Sequence, residues 1–117
     1  MSYDISFKVR VENTDIFVDT KDCDANITWN VREMIEKSTG LEWKNETNNV
    51  LVKDVIKSIR KGYEELSVNP EKYKKYEAKN GWGTVEGTKR FFKGIIDDWE
   101  NVKKYTDYSD YLYFWIE

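Results

Sequence analysis

Hydrophobic and polar residues alternate without a slip over residues 3–11, with Tyr3, Ile5, Phe7, Val9 and Val11 on one side and Asp4, Ser6, Lys8 and Arg10 on the other. A period of two over that length predicts a half-buried β-strand. Asn13-Thr14 reads as a turn and residues 15–20 as the return strand. That turn sets Val11 opposite Ile16, Val9 opposite Val18, Lys8 opposite Asp19 and Arg10 opposite Phe17. Both strands then bury the same face, so the register is self-consistent. After Asn26, a good N-cap residue, the period lengthens: Ile27, Val31, Met34 and Ile35 form a helical stripe that stops before Gly40. Residues 40–49 are a polar connection carrying Trp43. A second helix is predicted from about Val50 to Leu66, buried through Val52, Val55, Ile56, Ile59, Tyr63 and Leu66. Asn69-Pro70-Glu71 predicts the cap and first turn of a short helix through about Glu77. Asn80-Gly81-Trp82-Gly83 is a turn, and Thr84 caps a long last helix buried through Val85, Phe92, Ile95, Ile96, Trp99 and Val102. The tail alternates again, with Leu112, Phe114 and Ile116 inward and Tyr111, Tyr113 and Trp115 outward.

Three strands need one face covered, and amphipathic helices with a single stripe each can cover it. The expected fold is therefore α+β: a small antiparallel sheet, made of the N-terminal hairpin plus the C-terminal strand, with three to four helices packed on one face. At 117 residues without repeat or linker, residues 1–117 read as a single domain.

Composition narrows the chemistry. The single cysteine, Cys23, excludes an internal disulfide, and Met1-Ser2-Tyr3-Asp4-Ile5 shows no signal-peptide pattern. No apolar run approaches the roughly 20 residues of a membrane span. The expectation is a cytoplasmic protein, in which the sequons at Asn26 and Asn45 carry no meaning. Histidine is absent, which removes the commonest general base and transition-metal ligand together. Asp22, Asp24, Asn26 and Glu33 have calcium-loop spacing, but Ile27 stands where the loop requires glycine, and acidic residues favoured by a helix N-terminus explain the same pattern. Cys23 has no histidine to activate it and two flanking aspartates to raise its pKa. The Asn80–Gly83 turn lacks the Gly-Lys-Ser/Thr of a phosphate loop. Asp97 and Asp98 fall on different faces of the last helix and read as solvated. No catalytic residue, metal ligand or cofactor is assigned, and the expectation is that the protein is not an enzyme.

Charge is uneven. Residues 1–52 carry 6 basic and 10 acidic side chains, residues 53–93 carry 11 and 6, and residues 94–117 carry 2 and 6. Lys53, Lys57, Arg60 and Lys61 gather on one flank of the second helix, and the positive segment continues with Tyr73, Tyr76 and Trp82 interleaved. That mixture suits an acidic partner or single-stranded nucleic acid. An ordinary solvated face is the better reading, because nucleic-acid domains are strongly basic overall and this chain is acidic, with net charge −3. The second candidate surface is the outer sheet face: Lys8, Arg10 and Phe17 with Tyr111, Tyr113 and Trp115. Polar-tipped aromatics beside arginine are the composition of a protein interface. The competing account is that a helix or loop, such as the one bearing Trp43, covers them.

The segments Ile5-Ser6-Phe7-Lys8-Val9, Asn26-Ile27-Thr28-Trp29-Asn30-Val31-Arg32, Asn80-Gly81-Trp82-Gly83-Thr84 and Phe114-Trp115-Ile116-Glu117 resemble small uncharacterised proteins of phages and mobile elements of Gram-positive bacteria. The resemblance implies a genomic setting in which accessory proteins often bind and block a host protein, including defence systems. It implies no mechanism. The expected function is therefore binding, first to a host protein through the outer sheet face and second through the basic flank. The alternative is a small-ligand or nucleotide binder with an aromatic pocket.

Overall fold

In the computed structural model, which describes residues 1–44 and 49–117, the first strand is the spine of the sheet. Strand β1 (Ser2–Arg10) pairs antiparallel with β2 (Phe17–Asp19), β3 (Ala25–Thr28) and β4 (Tyr113–Ile116). Phe7 O accepts from Thr20 N, and Met1 O accepts from Trp29 N, whereas Asp4 exchanges both of its backbone bonds with Glu117. Odd positions of β1 thus serve β2 and β3, and even positions serve β4. Because backbone groups alternate between the two edges of a strand, β2 and β3 lie end to end along one edge of β1 and β4 lies on the other. The far side of β4 is occupied too: Phe114 N donates to Val50 O, and Val52 N donates to Leu112 O.

The hairpin register is the predicted one, with Lys8 opposite Asp19, Val9 opposite Val18 and Arg10 opposite Phe17. Its burial is not. Tyr3, Ile5 and Phe7 are buried, but Val11, Ile16 and Val18 are 41%, 59% and 48% exposed. Alternation reports which face a residue points to, and not how far along the strand the helices reach. Here the hairpin runs past them.

The first helix also starts later than predicted. Asn26 is no cap: it sits in β3 opposite Asp4, and its Nδ2 donates to Ser2 Oγ and Asp4 Oδ1. Thr28 caps a 3-10 turn, Trp29–Val31, by accepting from Asn30 N, and helix α1 spans Arg32–Thr39. Pairing with β1 overrides the local preference of asparagine for a cap. The helix stops where predicted, at Gly40, whose left-handed φ of 77° lets its N–H reach Glu36 O.

Helices α2 (Val52–Val68), α3 (Pro70–Tyr73) and α4 (Val85–Tyr105) complete the layer. The predicted stripes are buried, except that Tyr63 is half-buried. Asn69 does not cap α3 with its side chain, which instead donates to Glu65 Oε2; its carbonyl takes the Lys72 N–H. Thr84 caps α4 as predicted, its Oγ1 accepting from Gly87 N at 2.9 Å. At Gly62 α2 approaches its neighbours closely: a Cβ there would stand 2.6 Å from Thr39 Cγ2 and 2.8 Å from Phe92 Cε2. Trp43 is buried on the helical side of the sheet, meeting Tyr3, Phe91 and Phe114 edge to face at 6.1, 6.0 and 5.8 Å. The Asn45 sequon and the middle of the polar connection lie outside the described residues. No described helix is long and apolar enough to cross a membrane.

Candidate functional site

Pleating sends Lys8 and Arg10 of β1, Phe17 of β2, and Tyr113 and Trp115 of β4 to the side opposite the helices. The Phe17 ring bridges the two edges of β1, centred 5.1 Å from Tyr113 at 84° and 4.9 Å from Trp115. These separations suit attractive ring pairs. Lys8 Nζ stands 4.1 Å from the Trp115 ring centre and 3.1 Å from Glu117 Oε1, and the same oxygen accepts from Trp115 Nε1 at 2.8 Å. One carboxylate thus fixes both the cation and the indole beneath it. The three rings are half-buried, and Trp43 is not what covers them: it is buried on the helical side, against Tyr3, Phe91 and Phe114.

Glu117 belongs to this cluster and was absent from the residues chosen by sequence. The available signal was its position two beyond Trp115, on the same face as Lys8. Tyr111, by contrast, does not join the rings. The strand ladder ends at Tyr113, and Tyr111 closes the 3-10 turn Ser109–Tyr111, where it is 69% exposed. It lines an open groove of about 750 Å³ together with Arg10, Glu12, Leu51, Lys53, Asp110 and Tyr113. Arg10 is exposed, and it makes no ion pair among the described residues. The groove therefore carries the ring cluster, through Tyr113 and Arg10, toward Lys53 at the start of α2.

The rest of the basic flank is looser. Lys53, Lys57, Arg60 and Lys61 are all exposed, and Arg60 is paired with Glu100 of α4. Farther along, Lys74 pairs with Glu71 at 3.6 Å and Lys93 with Asp97 at 2.5 Å. Lys72, Lys75 and Lys89 lie over Tyr73, Tyr76 and Tyr63 at 5.5, 5.2 and 5.9 Å. The interleaved rings are used inside the molecule, and Tyr73 is buried. Trp82 stays exposed, with its N–H held by Asn80 Oδ1. At the start of α4, Val85 N donates to Glu77 Oε2 and Gly87 N to Thr84 Oγ1, so the protein's own groups satisfy these donors.

No family model matches this chain, and no curated protein or solved structure matches it either.

The acidic segment is structural in its surroundings. Cys23 is buried between β2 and β3, and burial, then the neighbouring Asp98 carboxyl, raises its thiol far above the ordinary range. Asp98 is half-buried rather than solvated. Burial raises its pKa, contact with Cys23 opposes that, and Asp97, Asp22 and Asp24 add to it. Tyr108 donates to Asp22 Oδ2 at 2.7 Å, which raises its own pKa. Among the described residues, no group of carboxylates and thiols is arranged to hold a metal ion.

Proposed function

We propose that this chain is a non-catalytic binding protein that captures a host protein through its outer sheet face, as an inhibitory accessory protein of a phage or mobile element. The observation that supports the reading is the Phe17–Tyr113–Trp115 cluster: rings held in place by one another, by Lys8 and by Glu117, on the face away from the helices. Pre-positioned rings lose little side-chain freedom on binding, and anchors of this kind dominate interface energetics. Arg10 and Tyr111 stand at the rim, free to meet a partner.

Arg10→Glu combined with Tyr111→Ala tests this directly, because both side chains are exposed. Capture from host extract, read by mass spectrometry, should enrich one protein on the wild-type chain and lose it on the variant at unchanged melting temperature. A partner retained by a folded variant would remove the outer face from consideration and turn attention to Lys53, Lys57, Arg60 and Lys61. The second reading, a small-ligand or nucleotide binder, draws on the groove between Arg10, Lys53, Tyr111 and Tyr113. It predicts stabilisation by a nucleotide panel in a thermal-shift screen.

A further inference from the structure

We infer that the groove between the Asn80–Gly83 turn and the start of α4 binds a nucleotide, its base stacked on Trp82 and its phosphate on Arg90, at a site separate from the outer sheet face. The groove measures about 500 Å³, and β3 with its 3-10 turn forms the opposite wall. Trp82 is 72% exposed, and among the described residues its side chain has neither a ring partner nor a hydrogen bond. Its backbone, by contrast, is held on every side. Asn80 Oδ1 accepts the Trp82 N–H at 3.0 Å, Trp82 O accepts from Asn30 Nδ2 at 3.1 Å, and Gly83 O accepts from Ala78 N at 3.1 Å. Gly83, at φ 126°, lies so near the 3-10 turn that a Cβ there would stand 2.6 Å from Val31 Cγ1. A large ring on a fixed backbone has little freedom to lose when a ligand stacks on it. The other aromatics of this basic segment are used inside the molecule: Tyr73 and Tyr76 pack together at 6.3 Å beneath Lys72 and Lys75, and Tyr63 lies beneath Lys89.

Arg90 supplies the charge. It is exposed, makes no ion pair among the described residues, and its Nη2 lies 4.0 Å from where a Cβ on Gly87 would stand. The guanidinium is thus laid back along the groove wall, over the first turn of α4. Lys79, beside the turn, is exposed and unpaired as well. Residues 72–93 carry seven basic and two acidic side chains, and one of those two acids, Glu77, already takes the Val85 N–H. An indole beside a free guanidinium matches the two halves of a nucleotide, because a base offers a flat π-face and a phosphate accepts two parallel bonds from the arginine fork. A neutral sugar would use the ring and leave Arg90 idle, and an acidic peptide would do the reverse. The phosphate is held by side chains here, since the turn's own donors are engaged, Trp82 N by Asn80 and Gly81 N by Ala78 O.

NMR titration of the full chain with AMP, and separately with single-stranded oligo(dT), should move the Trp82 indole and Gly87 amide signals together. A response to AMP makes the source a free nucleotide, and a response to oligo(dT) alone makes it a strand. Trp82→Ala and Arg90→Glu, both at exposed side chains, should each weaken the binding read at the Gly87 amide by about tenfold. Arg90→Glu keeps the comparison valid if Trp82→Ala does not fold. Arg10→Glu with Tyr111→Ala should leave the affinity unchanged, which separates this groove from the one beside the outer face. No response to either probe at about 10 mM, where even a Kd in the millimolar range would register, would overturn the proposal. So would binding that persists in Trp82→Ala and Arg90→Glu, or that is lost in the Arg10 and Tyr111 variant.

Discussion

Lys8 Nζ sits 4.1 Å above the Trp115 ring and 3.1 Å from the carboxylate that also takes the indole N–H. Two residues from opposite ends of the chain thereby fix each other on a face that the helices leave open. Lys8 looks like an ordinary solvent-side residue of an alternating strand, yet little of its side chain is exposed. Lys8→Met should cost about 1 kcal/mol in urea unfolding, the sum of a modest cation–π contact and a partly screened ion pair. Lys8→Asp should cost more, because it faces Glu117 and Asp19 with a like charge.

Burial along the hairpin predicts a gradient. Phe7 is fully buried, so Phe7→Ala should cost about 3–5 kcal/mol and Phe7→Asp should leave no folded protein. Val18→Asp, on the same face but half exposed, should fold with a melting temperature close to wild type. Equal losses at the two positions would mean that the helices extend over the hairpin.

Two helical glycines should respond with opposite sign. Gly62→Ala must force apart Thr39 and Phe92 and should destabilise by about 1–3 kcal/mol. Gly94→Ala, in α4, meets nothing within 4 Å and should stabilise by about 1 kcal/mol, the difference in helix propensity. Chemical denaturation of the two variants side by side checks both.

Asp98 should make stability fall as pH rises. Its folded-state pKa lies above the unfolded one, chiefly through burial, so between the two values the folded state binds the extra proton. Stability is then lost as pH climbs from the ordinary carboxylate range through the raised value, and stays lost above it. Asp98→Asn keeps an acceptor for the Cys23 thiol and removes the charge. The variant should gain more over wild type at pH 7 than at pH 4 in thermal melts; a gain equal at both would put the effect in packing.

Periodicity made most of the architecture legible, because it records which side of an element faces the core. The Val9–Val18 register, the Thr84 cap, the Gly40 stop and the α4 stripe follow from local patterns that nothing distant opposes. The misreadings have long-range causes. Asn26 suits a cap but is taken by Asp4 in a strand, and Tyr111 continues an alternation that ends where the backbone of Val50 and Leu51 runs alongside β4. Val11 and Ile16 carry a buried-strand pattern beyond the reach of the helices. On the outer face, the rings were legible from alternation alone. Their mutual packing, and the part played by Glu117, depend on side-chain directions across three strands that spacing cannot supply.

The placement of β4 between β1 and the Val50–Leu51 segment bears on the order in which the molecule assembles. Helices α2 and α4 can form from local contacts, but the sheet closes only when residues more than a hundred positions apart meet, as Lys8 and Glu117 do. Closing so long a loop is slow and carries little reward until many contacts form together. Folding should therefore show helical signal early and tryptophan burial late. The rate of that late phase should respond to Phe114→Leu in β4 far more than to Gly94→Ala in α4.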